Sequence, residues 1–105
     1  MPRILDDAEL HAAMADHPHW EVRGGRFVRS VQRGSFAEAI ALVDDAAAAA
    51  ERADHHPDID IRWTTVTFAL VTHSVGGITE LDVAMAGTID DLVEQHAVQR
   101  RGSAG

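Results

Sequence analysis

The sequence predicts an α+β fold: an antiparallel four-stranded sheet covered on one face by three helices, in the order helix, hairpin, helix, strand or strand pair, helix. Three observations predict it. Capping signatures recur at Asp6-x-x-Glu9, Ser35-x-x-Glu38 and Thr79-x-x-Asp82, a spacing that lets two side chains satisfy the free N–H groups of a helix start reciprocally. Gly24-Gly25 separates two short runs, Trp20-Glu21-Val22-Arg23 and Arg26-Phe27-Val28-Arg29-Ser30-Val31, and both central positions of the favoured hairpin turn need positive φ. From Ile59 to His73 β-branched and aromatic residues dominate, as in extended chain.

Each element follows from local chemistry. Asp6 caps the first helix, Leu5 staples against Leu10, and Leu10, Ala13 and Met14 share one side. The helix must end before Pro18, because the residue ahead of a proline is pushed out of the helical region; Asp16-His17-Pro18-His19 is then a loop. After the hairpin, Ser35 opens what reads as the longest helix. Its apolar face is Phe36, Ile40, Val43 and Ala47, with Glu38, Asp44, Asp45 and Glu51 on the polar side. The run Ala46 to Ala50 suits a helix lying close on a sheet. Ile59 to His73 is long for one strand, which predicts a break near Trp63-Thr64-Thr65. Val66, Phe68 and Leu70 then face the helices, and Trp63, Thr65, Thr67, Ala69, Val71 and His73 form the other face, less apolar and able to meet a partner subunit. Gly76-Gly77 turns the chain into a last helix with Leu81, Met85, Leu92 and His96 along one stripe. Residues 1–99 are expected to form a single domain and residues 100–105 a flexible C-terminal tail.

With 105 residues there is room for one modest core and one site. Nine basic against 17 acidic residues leave a formal charge of −8, which disfavours nucleic acid and anionic lipid as partners, since phosphates reward clustered Lys and Arg. No apolar run approaches a membrane span and the first residues lack a secretory hydrophobic stretch, so the expected location is the cytoplasm. The absence of cysteine excludes disulfides, thiolate nucleophiles and sulfur-ligated zinc. Seven histidines make imidazole the first candidate for chemistry.

The chemistry centres on Glu51-Arg52-Ala53-Asp54-His55-His56-Pro57, where the alanine-rich helix runs out. A metal could use His55, His56, His73 and Asp82. Against it, Pro57 keeps His56 extended, so neighbouring rings tend to point to opposite sides, and no i, i+4 histidine pair is present. A nucleophilic triad would need a serine or threonine on a strained elbow, and neither Thr72 nor Ser74 has a Gly-x-Ser-x-Gly context. General acid–base work fits best, because imidazole titrates near neutrality and one ring can donate while another accepts. His55 and His56 follow a helix end and His73 lies at a strand end, positions that can meet on one rim of the sheet, and Glu51 can orient a ring from one turn upstream.

Glu51-x-x-x-His55-His56-Pro57, five residues to Trp63, nine more to His73 and eight more to Asp82 together resemble the signature of the pterin-4a-carbinolamine dehydratase family. The resemblance runs from Trp20 through the long helix to Thr72-His73, Gly77, Thr79-Glu80 and into the last helix. It implies dehydration of a 4a-hydroxytetrahydropterin to a quinonoid dihydropterin, with neither metal nor organic cofactor. By the same resemblance His55 and His73 are the acid–base pair and Asp82 and Glu51 orient their histidines. His56 binds and positions the pterin, Pro57 shapes the loop and Trp20 flanks the planar ligand. Relatives implied by it assemble as homodimers or homotetramers, with a sheet that continues across the dimer. The competing expectation is a non-catalytic pterin-binding or protein-assembly module of the same fold.

Overall fold

The computed structural model describes residues 2–104, and side chains for residues 2–97. Chain order is α1 (Asp7–Asp16), β1 (Glu21–Arg23), β2 (Arg26–Gln32), α2 (Phe36–Ala53), β3 (Asp58–Arg62), β4 (Thr65–Leu70) and α3 (Glu80–Ala104). The strands form one antiparallel sheet in the order β1-β2-β4-β3. The α+β class, the hairpin and the break between β3 and β4 are as the sequence predicts. α3, at 25 residues, is longer than the 18-residue α2, against expectation. Its backbone is helical through Ala104, so the expected tail begins as a continuation of the helix, and its side chains lie outside the described residues.

Local chemistry sets the ends of these elements. Glu9 N–H donates to Asp6 Oδ1 at 2.8 Å and Asp6 N–H to Glu9 Oε1 at 2.9 Å, closing the first capping box. Ser35 Oγ accepts from Glu38 N–H at 3.1 Å, while the Glu38 carboxylate reaches back to Gly34 N–H, one residue before the cap. Gly24 and Gly25 have φ of 58° and 76° and make the β1–β2 turn. The β3–β4 turn, also of two residues, puts a positive φ, 55°, on Trp63, a strained conformation for a bulky residue.

Register decides the two faces. Phe27 opposes Leu70 and Val31 opposes Val66, while Ile59 opposes Phe68 and Ile61 opposes Val66; opposed residues in an antiparallel pair share a face. Phe27, Val66, Phe68 and Leu70 are completely buried under the helices. The opposite face, with Ser30, Thr67 and Ala69, lies away from the core under the helices; Ser30 is exposed, Thr67 and Ala69 are half-buried and Val28 is buried.

The face that α2 buries differs from the expected one. Ala39, Leu42, Ala46, Ala49 and Ala50 are buried, whereas Phe36 is 56% exposed, Ala47 is exposed, and Ile40 and Val43 are half-buried. The buried stripe is thus four alanines around Leu42, and its small side chains permit close approach to the sheet, with Phe36 and Ala47 off the stripe. In α3, Met85, Ala86 and Ile89 are buried, but Leu81 is 45% exposed rather than part of the packed stripe.

Trp20 is 2% exposed and stacks on Phe27, with ring centroids 5.3 Å apart. Its Nε1–H donates to Asp90 Oδ1 at 2.8 Å. The Asp90 carboxylate also accepts from Arg29 and lies 3.3 Å from His17 Nδ1. This carboxylate ties α3 to β2 and to the loop after α1.

Asp90→Ala, which strands a guanidinium that is 11% exposed, is expected to cost about 2–4 kcal/mol in urea denaturation, and Asp90→Ala with Arg29→Met to recover most of it. At the surface, the hydrogen bond from Arg3 holds the Glu9 carboxyl at about 2. A depressed carboxylate pKa stabilises above its unfolded value of about 4.3 and is lost as pH falls. Amide-exchange protection factors in the first turn of α1, corrected for the intrinsic pH dependence of exchange, should therefore fall between about pH 4.5 and 2, and Glu9→Gln should remove that fall.

Candidate active site

Three chain segments meet at one end of the sheet: the end of α2, the loop after β4 and the start of α3. α2 stops because Asp54 takes the left-handed conformation, φ 50° and ψ 41°, with its N–H on the Ala50 and Glu51 carbonyls. Aspartate tolerates that region better than most residues with a Cβ. His55 N–H donates to Ala50 O at 3.1 Å, completing the cap and fixing where the His55 ring starts. After β4, Thr72 pairs across a short turn with Gly77, whose missing side chain leaves room for Ile4, 3.0 Å from where a Cβ would stand. Leu5 N–H donates to Ile78 O at 2.9 Å, anchoring the chain start to the same turn.

Asp82 joins the three segments. It is completely buried, and its Oδ2 accepts from Thr79 N–H at 2.8 Å and from the Thr72 hydroxyl at 2.9 Å. Its Oδ1 lies 2.6 Å from His55 Nε2. The same carboxylate thus caps α3, where the helix dipole favours a negative charge, and holds a histidine from a distant element.

A cavity of about 290 Å³ opens beside this group. Its polar walls are Asp54, His55, His56, Thr72, His73 and Ser74, and its apolar walls are Val71 and Leu81. The expected site residues therefore separate into distinct groups. His55, His56 and His73 line one cavity. Asp82 does not line it, so it acts on His55 rather than on a ligand. Glu51 is on the helix surface, its Oε1 3.6 Å from His56 Nε2, both side chains being more than half exposed. It accompanies His56 and not His55. Pro57 is half-buried between the cavity and β3 and sets the backbone of the loop. Trp20, expected to flank the ligand, is in the core on Phe27 and does not line the cavity, because its indole N–H is committed to Asp90.

Thr72, weighed in sequence only as a nucleophile, Thr79, read only as a helix cap, and Leu81, read as part of a packed stripe, take roles around Asp82 and the cavity that the sequence did not assign them. The first had a legible signal: it continues the inward parity of Val66, Phe68 and Leu70, and a polar residue at a buried position requires a partner. Among the described residues no three His, Asp or Glu side chains form a metal-holding group. A separate apolar cleft of about 380 Å³ between Phe36 and Trp63 involves the start of α2 and the β3–β4 turn, remote along both elements from the histidines. No described helix is long and apolar enough to cross a membrane.

Residues 3–92 match the family model described as Pterin 4 alpha carbinolamine dehydratase. A Nocardia farcinica protein provisionally named pterin-4-alpha-carbinolamine dehydratase is 55% identical over 89 residues, 85% of this chain and 94% of its own. A Mycobacterium tuberculosis protein with the same provisional name is 53% identical over 89 residues, covering 85% and 95%. Among solved structures, a Brucella melitensis protein described as a transcriptional coactivator/pterin dehydratase has a TM-score of 0.82 at 32% identity, covering 87% of this chain and 99% of its own. A pterin dehydratase-like protein identified as a RuBisCO assembly factor in the alpha-carboxysome has a TM-score of 0.62 at 27% identity, covering 70% and 88%.

Removing the Asp82 carboxylate leaves the Thr79 N–H and the Thr72 hydroxyl buried without an acceptor. Asp82→Ala is expected to lower stability by about 2–4 kcal/mol, read by chemical denaturation, because it combines a lost cap with unsatisfied buried donors.

Proposed function

Because this chain belongs to the pterin 4 alpha carbinolamine dehydratase family, we propose that it dehydrates a 4a-hydroxytetrahydropterin to a quinonoid dihydropterin and water, with His55 and His73 moving the protons. The observation that carries the reading is the placement of His55 and His73, 18 positions apart in sequence, on one cavity. The carbon–oxygen bond at C4a breaks and its electron pair leaves with the oxygen, which takes a proton and departs as water. The neighbouring ring nitrogen gives up its proton, and that N–H electron pair forms the new carbon–nitrogen double bond. One imidazole supplies the first proton and the other accepts the second, so the two rings must begin in complementary protonation states. A neutral imidazole and its cation interconvert near neutral pH, and no metal or organic cofactor is needed for either transfer.

The remaining walls suit a flat, polar heterocycle. His56, more than half exposed beside Glu51, is available to bind the ring edge, while Val71 and Leu81 offer apolar contact. Leu81 is 45% exposed beside the histidines, which makes it a surface for the ligand rather than a core residue. Asp82 keeps His55 in place. The same reading makes the protein a cytoplasmic homodimer or homotetramer, with the sheet face that points away from the helices and the outer edges of β1 and β3 as the surfaces available for assembly. A monomer mass of 11.3 kDa in light scattering would overturn that assembly.

The competing reading is a non-catalytic binding or assembly module. It draws on the structural neighbour described as a RuBisCO assembly factor. Retention of three histidines and a buried carboxylate around one cavity favours catalysis, since a scaffold does not require complementary proton donors and acceptors.

Purified protein at micromolar concentration, added to chemically generated 4a-hydroxytetrahydropterin, is expected to accelerate loss of the intermediate over buffer, with or without a chelator. His55→Ala and His73→Ala should each slow turnover on the order of tenfold to a thousandfold. No acceleration by correctly folded protein overturns the dehydratase reading, and full activity in both variants overturns the assignment of the two histidines.

A further inference from the structure

We propose that Thr72 is a positioning residue that, through Asp82, holds His55 in the Nε2–H tautomer and so leaves Nδ1 as its proton-exchanging nitrogen. The activity part of this inference rests on the dehydratase reading; the tautomer part does not.

The argument follows the direction of each hydrogen bond. A backbone N–H can only donate. Leu81 N–H donates to Thr79 Oγ1 at 3.1 Å, and Thr79 N–H donates to Asp82 Oδ2 at 2.8 Å. The hydroxyls of Thr72 and Thr79 are 2.8 Å apart, so one must donate to the other. Thr72 has a single hydroxyl proton, and it points to Asp82 Oδ2 at 2.9 Å. The Thr79 proton must therefore go to Thr72 Oγ1. Every bond in the chain now runs one way, from Leu81 N–H through Thr79 and Thr72 to the carboxylate.

A carboxylate already receiving two donors on Oδ2 acts as an acceptor on Oδ1 as well. The contact of 2.6 Å between Oδ1 and His55 Nε2 is then a bond that Nε2–H donates. In the neutral ring this leaves the lone pair on Nδ1. Among the described residues Nδ1 makes no hydrogen bond, and His55 lines the cavity. The acceptor-only carboxylate of Asp82 thus fixes the direction of the hydroxyl chain on Oδ2 and the tautomer of His55 on Oδ1, and the Thr72 hydroxyl and the Thr79 N–H hold that carboxylate in place. Thr72 is the link that can be removed without deleting the Thr79 N–H bond to the cap.

A purely structural role for Thr72, as a brace for the start of α3, predicts something different. It would lower the melting temperature of a variant while leaving the tautomer and kcat as they were.

The decisive measurement is ¹⁵N NMR of histidine-labelled full-length protein at mildly alkaline pH, alongside steady-state kinetics on the 4a-hydroxytetrahydropterin. In the wild type, His55 Nε2 should resonate as a protonated nitrogen and Nδ1 as an unprotonated one. Thr72→Val keeps the shape and removes the hydroxyl, leaving the Asp82 carboxylate held on Oδ2 only by the Thr79 N–H and free to turn from His55; it should give averaged shifts from mixed tautomers and a kcat lower on the order of tenfold, with KM nearly unchanged. Thr72→Ser should restore both. If Thr72→Val does not fold, Thr72→Ala carries the same expectation. A wild-type His55 protonated on Nδ1 overturns the proposal, as does a folded hydroxyl-free variant with a wild-type tautomer and kcat. If the protein turns over no pterin at all, the dehydratase reading fails by itself, and the NMR comparison still decides the role of Thr72.

Discussion

The buried carboxylate of Asp82 is the constraint on which the rest of the site depends. A charge withdrawn from water costs several kcal/mol unless it is paired and hydrogen-bonded. Here donors come from the start of α3, from the loop after β4 and from the loop after α2. Those partners are spread across the chain, so the carboxylate is satisfied only when the sheet edge and both helix ends are assembled. Folding and assembly of the site are in this sense one event. The capping requirement of α3 supplies a local reason for an aspartate at this place, and His55 takes the oxygen that the cap does not use.

The fold around it keeps the working end of the sheet separate from the packing. α2 lies on the sheet through alanines and Leu42, which lets its last turn deliver His55 and His56 to the rim without a bulky residue intervening. A second carboxylate, the half-buried Asp90, does the structural work farther along α3 by gathering Trp20, Arg29 and His17. These two aspartates of α3 therefore divide their roles by position: Asp90 holds the helix to β2, while Asp82 connects the helix start to the cavity. One face of the sheet points away from the helices, consistent with a subunit that can associate further.

Family membership and activity rest on different grounds. The match over residues 3–92 and relatives above 50% identity place the chain in the family, yet structural relatives are described both as a coactivator/pterin dehydratase and as a RuBisCO assembly factor. What favours chemistry in this chain is local: imidazoles on one cavity, one of them held by a buried acceptor. A protein surface that serves only to dock a partner gains nothing from such an arrangement and bears its desolvation cost.

Much of the fold was legible because its signals are short-range. The capping pairs, the glycine turn, the proline stops and the alternation of Val66, Phe68 and Leu70 each follow from chemistry within a few residues. The histidines were legible as candidates for the same reason, since Pro57 and the end of the alanine run mark a loop. Tertiary structure decided what no local pattern contains. It rotated α2 so that Ala39, Leu42, Ala46, Ala49 and Ala50, not Phe36 and Ala47, are buried, because closeness of packing depends on the surface opposite. It sent Trp20 into the core through an acceptor, Asp90, 70 positions away, and turned Leu81 outward beside the cavity. Above all it brought Thr72 and His55 to Asp82. By itself the sequence determined which groups can donate and accept protons; only the packed chain decided which of them share a bond, because hydrogen bonding depends on distances in space that local sequence spacing does not encode.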